Sequence, residues 1–130
     1  MKRSVRVMFL VLIAALIVTA YRQAGLRPMT DLDLLLRRED IARAVDLLGA
    51  LGFAPIHHDP RMGAAYAYEN EVMLSRPQSS GVLVELHWSL FDSPHHQVHI
   101  DMDWFWLTAR PVKVGQADGL VLGPEALLLH

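Results

Sequence analysis

The sequence predicts an α+β (α/β-like) domain, a small mixed β-sheet flanked by helices. Three stretches carry that prediction: acids and leucines alternate in DLDLLL (31–36), apolar residues alternate with others in VLVELHW (82–88), and EDIARAVDLLGALG (39–52) has helical spacing. A period of two places alternate side chains on opposite faces of a strand, and recurrence at three and four places them on one face of a helix. The 130 residues match one ordinary domain that can bury a core without disulfides. Residues 1–130 are therefore read as a single domain.

Composition narrows the classes. The chain is 52% apolar and 20% charged, which excludes an intrinsically disordered chain. A formal net charge of -2 offers no basic face, so nucleic acid is not indicated as a partner. Cysteine is absent, which removes disulfides and thiolate metal sites.

The N-terminus, MKRSVRVMFLVLIAALIVTAY, sets Lys2, Arg3 and Arg6 before an uncharged run from Val7 to Ala20. By pattern alone this resembles a signal peptide, with Val18 and Ala20 at a small-residue cleavage site. The run is shorter than the roughly 20 apolar residues of a membrane span. Its other reading is a core strand in VRVMFLVL followed by a core helix in AALIVTAY. Gly25 and Pro28 then mark a loop.

In DLDLLL, Asp31 and Asp33 share one strand face and Leu32, Leu34 and Leu36 the other. The helix that follows has Ile41, Ala44, Val45, Leu48 and Leu51 at helical spacing, Glu39 and Asp40 at its positive end and Gly52 at its close. FAPIHH, AAYAYE and EVMLSR read as short meandering strands. SSGVLVELHW reads as a strong strand, with Val82, Val84, Leu86 and Trp88 on one face and Leu83, Glu85 and His87 on the other. DSPHHQVHIDMDWFWLTA reads as a loop leading into a short helix, and PVKVGQADGLVLG as a hairpin. GPEALLLH opens a helix with Pro124 at its first position. The chain stops inside that apolar run, so a truncated C-terminus is expected.

Carboxylates within apolar strands are costly unless their charge is compensated. A pair at i and i+2, joined by an acid from a neighbouring strand, can hold Mg2+ through oxygen, and Asp31, Asp33 and Glu85 have that chemistry. A second Asp-x-Asp, Asp101 and Asp103, lacks the leucine face and reads as a solvated helix start. His95, His96 and His99 invite a zinc site, but Pro94 and the missing fourth ligand favour solvated loop histidines; His57 and His58 read likewise. His87 shares a face with Glu85 and is expected to hydrogen-bond it from behind, or to be a satisfied, half-buried histidine. Trp104, Phe105 and Trp106 read as core.

GLRPMTDLDLLLRREDIARAVDLLGALGF, VLVELHWSL and VLGPEALLLH together resemble the uncharacterised nucleotidyltransferase family of the DNA polymerase beta type superfamily. The resemblance rests on an R-P-M-x-D-h-D-h-h segment, a helix ending in Gly-aromatic, an E-L-H-W strand and a P-E-x-L-L-x-H helix start, in that order over most of residues 25–130. It implies a nucleotidyltransferase-like core, incomplete at its C-terminus. It further implies Asp31, Asp33 and Glu85 as catalytic ligands of two Mg2+ ions, with Arg27 near the nucleotide. The implied reaction moves a nucleoside monophosphate from a nucleoside triphosphate to an unidentified acceptor hydroxyl.

One departure stands out. Family members carry a glycine-containing phosphate turn upstream of the acids, and ungapped alignment puts Leu12 and Ile13 there. An alternative is therefore an inactive relative that binds a nucleotide or a protein partner. A third is an exported or membrane-tethered small protein, anchored through residues 7–20. Since cleavage after Ala20 would remove part of the core, a cytoplasmic location is the expectation.

Overall fold

Alternating hydrophobicity in the middle of the chain becomes the centre of a seven-stranded mixed sheet in the computed structural model, which describes residues 10–11, 31–57, 69–78, 81–114 and 116–129. The strands are β1 (Leu10–Val11), β2 (Asp31–Leu35), β3 (Ala54–Pro55), β4 (Glu71–Ser75), β5 (Leu83–His87), β6 (Arg110–Val114) and β7 (Ala117–Val121), in the spatial order β3-β4-β5-β2-β1-β7-β6. Strand β2 runs parallel to β5 and antiparallel to β1, β4 runs antiparallel to β5, and β1 runs parallel to β7. The hairpin expected near the C-terminus is the antiparallel pair β6 and β7. Pro55, which cannot donate to a ladder, sits on the edge strand β3.

The helices are α1 (Ile41–Ala50), entered through a 3-10 turn at Arg38–Asp40, α2 (Pro94–His99), α3 (Met102–Thr108) and α4 (Pro124–Leu129). Helix α1 lies on the leucine face of the sheet. There Ile41, Ala44 and Val45 meet Leu36, Val72, Leu74, Val84, Leu86 and Trp88 in one buried cluster. Its end is a Schellman motif, with the Phe53 amide donating to the Leu48 carbonyl at 3.0 Å and the Gly52 amide to Gly49 at 2.9 Å. Gly52 takes φ of +91°, and Leu48 and Phe53 both pack on the α1 cluster.

Leu35, one residue out of phase with that face, is fully buried in a second cluster with Phe105, Trp106, Leu122 and Ala126. Helices α3 and α4 thus cover the opposite side of the sheet at the Leu35 end. Arg37 ties β2 to α3: its guanidinium lies 4.7 Å from the Trp106 ring centre and pairs with Asp103. Gly123 lets α4 start against α3, because a Cβ there would stand 2.8 Å from the Thr108 carbonyl oxygen.

Three expectations need correction or restriction. The histidine stretch from Pro94 is the helix α2, not a loop: Pro94 occupies the first turn, where its missing N–H costs nothing and its fixed φ suits a helix. Val82, expected on the buried strand face, is 51% exposed, because β5 begins only at Leu83. The expected N-terminal strand appears as Leu10–Val11, whereas the helix expected in AALIVTAY, the Gly25–Pro28 loop and nearly all of AAYAYE lie outside the described residues. Among the described residues no helix is long and apolar enough to cross a membrane.

Candidate metal centre

Alternation along β2 sends Leu32 and Leu34 to one face and Asp31, Asp33 and Leu35 to the other. The parallel register then sets Asp33 beside Glu85 and Leu35 beside His87, and the antiparallel register of β4 sets Met73 beside Glu85 and Glu71 beside His87. Asp33, Glu85, His87 and Glu71 therefore share one face across three strands. Asp31 shares it too, opposite Leu83 and half-buried.

Ligand atoms of Asp33, Glu85 and His87 all lie within 4.8 Å of one another, the one such group among the described residues. His87 is held between two acids, with Nδ1 3.1 Å from Glu71 Oε2 and Nε2 3.5 Å from Glu85 Oε2. Glu71 is the nearer partner, and Glu85, the acid considered from sequence, faces the other ring nitrogen. Glu71 has no signal in the sequence, because EVMLSR reads only as a strand and the pairing of residue 71 with residue 87 arises from the β4–β5 register.

The cluster is short of positive charge. Asp33 is 8% exposed, and its Oδ1 is buried without a hydrogen-bond partner among the described residues. Its pKa is pushed up to about 6, first by burial and next by the Glu85 charge, with Asp31 adding to the rise and His87 opposing it. Burial, then Glu71 and Asp31, raise Glu85 as well. Glu71 is raised by burial and by Glu69 and Asp92.

This donor set fits a divalent cation. Ligands about 2.1 Å from a small dication stand roughly 3 to 4 Å from each other, close to the spacing found. A cation would also compensate the buried carboxylates and supply the partner that Asp33 Oδ1 lacks among the described residues.

Other residues singled out in the sequence stand elsewhere. Asp101 caps α3, accepting from the Asp103 amide at 2.9 Å, which agrees with a helix start. His99 Nδ1 lies 2.7 Å from the His95 carbonyl oxygen on exposed α2, and His57 is exposed. Phe105 and Trp106 are core, as expected. Arg27, Leu12, Ile13 and His58 lie outside the described residues.

No curated protein and no solved structure matches the chain. A family model does, and it spans both the acid-bearing strands and the helices that bracket them. Residues 6–130 match the uncharacterised nucleotidyltransferases, and the chain belongs to that family.

Proposed function

We propose that the chain is a metal-dependent nucleotidyltransferase that moves a nucleoside monophosphate from a nucleoside triphosphate to an acceptor hydroxyl. Asp31, Asp33 and Glu85 would hold Mg2+, in keeping with the oxygen ligands that ion prefers. The observation that carries this reading is the β2–β5 register, which sets Asp33 beside Glu85, together with a buried Asp33 oxygen that has no hydrogen-bond partner among the described residues. When bound, the metal pair would neutralise phosphate charge and favour the ionised acceptor oxygen.

The chain's own residues set the conditions. Asp33 must give up its proton to act as a ligand, and the raised pKa makes that proton easy to retain at acid pH. Leu35 and the α3–α4 cluster close one end of the acid face to water. In the transfer, the acceptor oxygen bonds to the α-phosphorus and the bond from that phosphorus to its bridging oxygen breaks. Pyrophosphate leaves with the electron pair, and the acceptor proton passes to solvent.

A second reading, nucleotide binding without transfer, rests on Leu12 and Ile13 standing where relatives carry a glycine-containing turn. Calorimetric titration with ATP, GTP, CTP and UTP, with and without Mg2+, tests the site. Binding is expected to need both Mg2+ and Asp33 and to vanish in Asp33→Asn. Binding that persists in that variant would overturn the reading. Pyrophosphate release in the presence of candidate acceptors separates transfer from binding alone.

A further inference from the structure

We infer that His87 is itself a metal ligand through Nε2, that Glu71 is the residue that positions it, and that the centre therefore prefers a first-row transition dication such as Mn2+ over Mg2+. The inference rests on the reading of the acid face as a cation site and changes what that site takes.

Three observations support it. Nε2 of His87 stands 3.5 Å from Glu85 Oε2, a separation ordinary for two donors on one small dication, and belongs to a residue whose ligand atom falls within 4.8 Å of those of Asp33 and Glu85. Nδ1, on the far side of the ring, faces Glu71 Oε2 at 3.1 Å. A carboxylate accepting from Nδ1–H fixes the tautomer that leaves the Nε2 lone pair for a metal, the common arrangement behind metal-bound histidines. Independently of these, Asp33, a member of the same cluster, is nine-tenths buried, and its Oδ1 has no hydrogen-bond partner among the described residues. Two carboxylates and an imidazole form a mixed oxygen and nitrogen set. Mg2+ takes nitrogen poorly, whereas dications later in the first row gain from it.

The register explains why Glu71 does this rather than a nearer acid in sequence. Antiparallel pairing sets residue 71 directly opposite residue 87, and the parallel strand on the other side of β5 brings Asp33 to Glu85. The ring is thus held from one strand and used on the next. Glu71 itself touches neither metal nor substrate, so it is a positioning residue.

The test uses the full chain without nucleotide and Mn2+ alone as probe. Free Mn2+ is counted by its electron paramagnetic resonance signal, and Mg2+ affinity is obtained by competition. Pulsed resonance on the bound Mn2+ is expected to show coupling to a histidine nitrogen, which changes character when the protein is grown with 15N-histidine. His87→Asn should abolish that coupling and shrink the preference for Mn2+ over Mg2+. Glu71→Gln should keep the coupling but weaken Mn2+ binding about tenfold or more, the usual effect of losing such a carboxylate partner.

Bound Mn2+ without histidine coupling in the unaltered protein would overturn the inference, and needs no variant to fold. So would an equal loss of Mg2+ and Mn2+ affinity in folded His87→Asn. Either result leaves the nucleotidyltransferase reading intact if Asp33 is still needed for nucleotide binding. Absence of metal binding without nucleotide also overturns the inference, and Mg2+-independence of nucleotide binding overturns the broader reading instead.

Discussion

In the proposed metal centre, Asp33 sets stability against function at a single side chain. In the cation-free protein its carboxyl is buried among Glu85 and Asp31 and titrates near 6 instead of 3.8. Between those values the folded chain holds the proton more firmly than the unfolded chain. Stability therefore falls as pH rises from about 4 to about 6 and stays lowered above that. A displacement of this size corresponds to about 3 kcal/mol at most. Asp33→Asn removes the buried charge while keeping the shape, so the variant should melt higher than the unaltered protein at pH 7.5 without metal. The gap should close near pH 4. Equal melting temperatures at both pH values would show that the acid cluster is not strained. Added divalent cation should reverse the order at pH 7.5, because Asp at position 33, unlike Asn, can serve as an anionic ligand beside Glu85. The acids themselves were legible from alternation with leucine, since an acid every second residue on an apolar strand needs an external partner. Glu71 was not, because what makes it matter is a cross-strand register that no local pattern encodes.

At the scale of elements, helix ends decide how the sheet is flanked. Helix α1 stops where Gly52 adopts φ of +91°, which turns the chain so that Phe53 folds back beside Leu48. An L side chain in that region of backbone space costs roughly 1–2 kcal/mol. Gly52→Ala should lower denaturant stability by about that amount, although its Cβ would meet only the Arg76 side chain, at 3.4 Å. Gly123→Ala acts differently, through a clash of Cβ with the Thr108 carbonyl oxygen that obliges α3 and α4 to part. Overpacking of this kind costs typically 1–3 kcal/mol. Urea unfolding checks both, and a neutral Gly123→Ala would mean that the two helices are not held in contact. Helix α1 was legible because its apolar residues recur at helical spacing and its end carries glycine. Helix α2 was not: PHHQVH has no apolar stripe, so its polar residues resemble a loop and only Pro94 at the first position betrays a helix start.

Across the whole molecule the sheet separates packing from chemistry. Helix α1 and its cluster occupy one side, while the carboxylates and His87 occupy the other, with Leu35 marking where α3 and α4 cover that second side. The mixed sheet and its flanking helices were readable from the two periodicities. Its strand order was not: VRVMFLVL and FAPIHH, which hold the short strands β1 and β3, read as strands, but which strand lies beside which is set by pairings between distant segments that no local period encodes. The separation of sides has a thermodynamic consequence. If, as proposed, a cation binds the assembled β2–β5–β4 face and not the unfolded chain, a concentration one hundred times its dissociation constant should add about 2.7 kcal/mol. For 130 residues that raises the melting temperature on the order of 10 °C. Ile41→Ala, which empties space in the fully buried α1 cluster, should cost 2–5 kcal/mol and lower the melting temperature by a comparable span. Because Ile41 lies across the sheet from the acids, the increment from added Mn2+ should survive in that variant almost unchanged. Thermal scans of Ile41→Ala and the unaltered chain, each with and without Mn2+, read both effects at once. If the increment disappears with Ile41, the two faces are coupled through the strands, and α1 packing helps to set the geometry of Asp33 and Glu85.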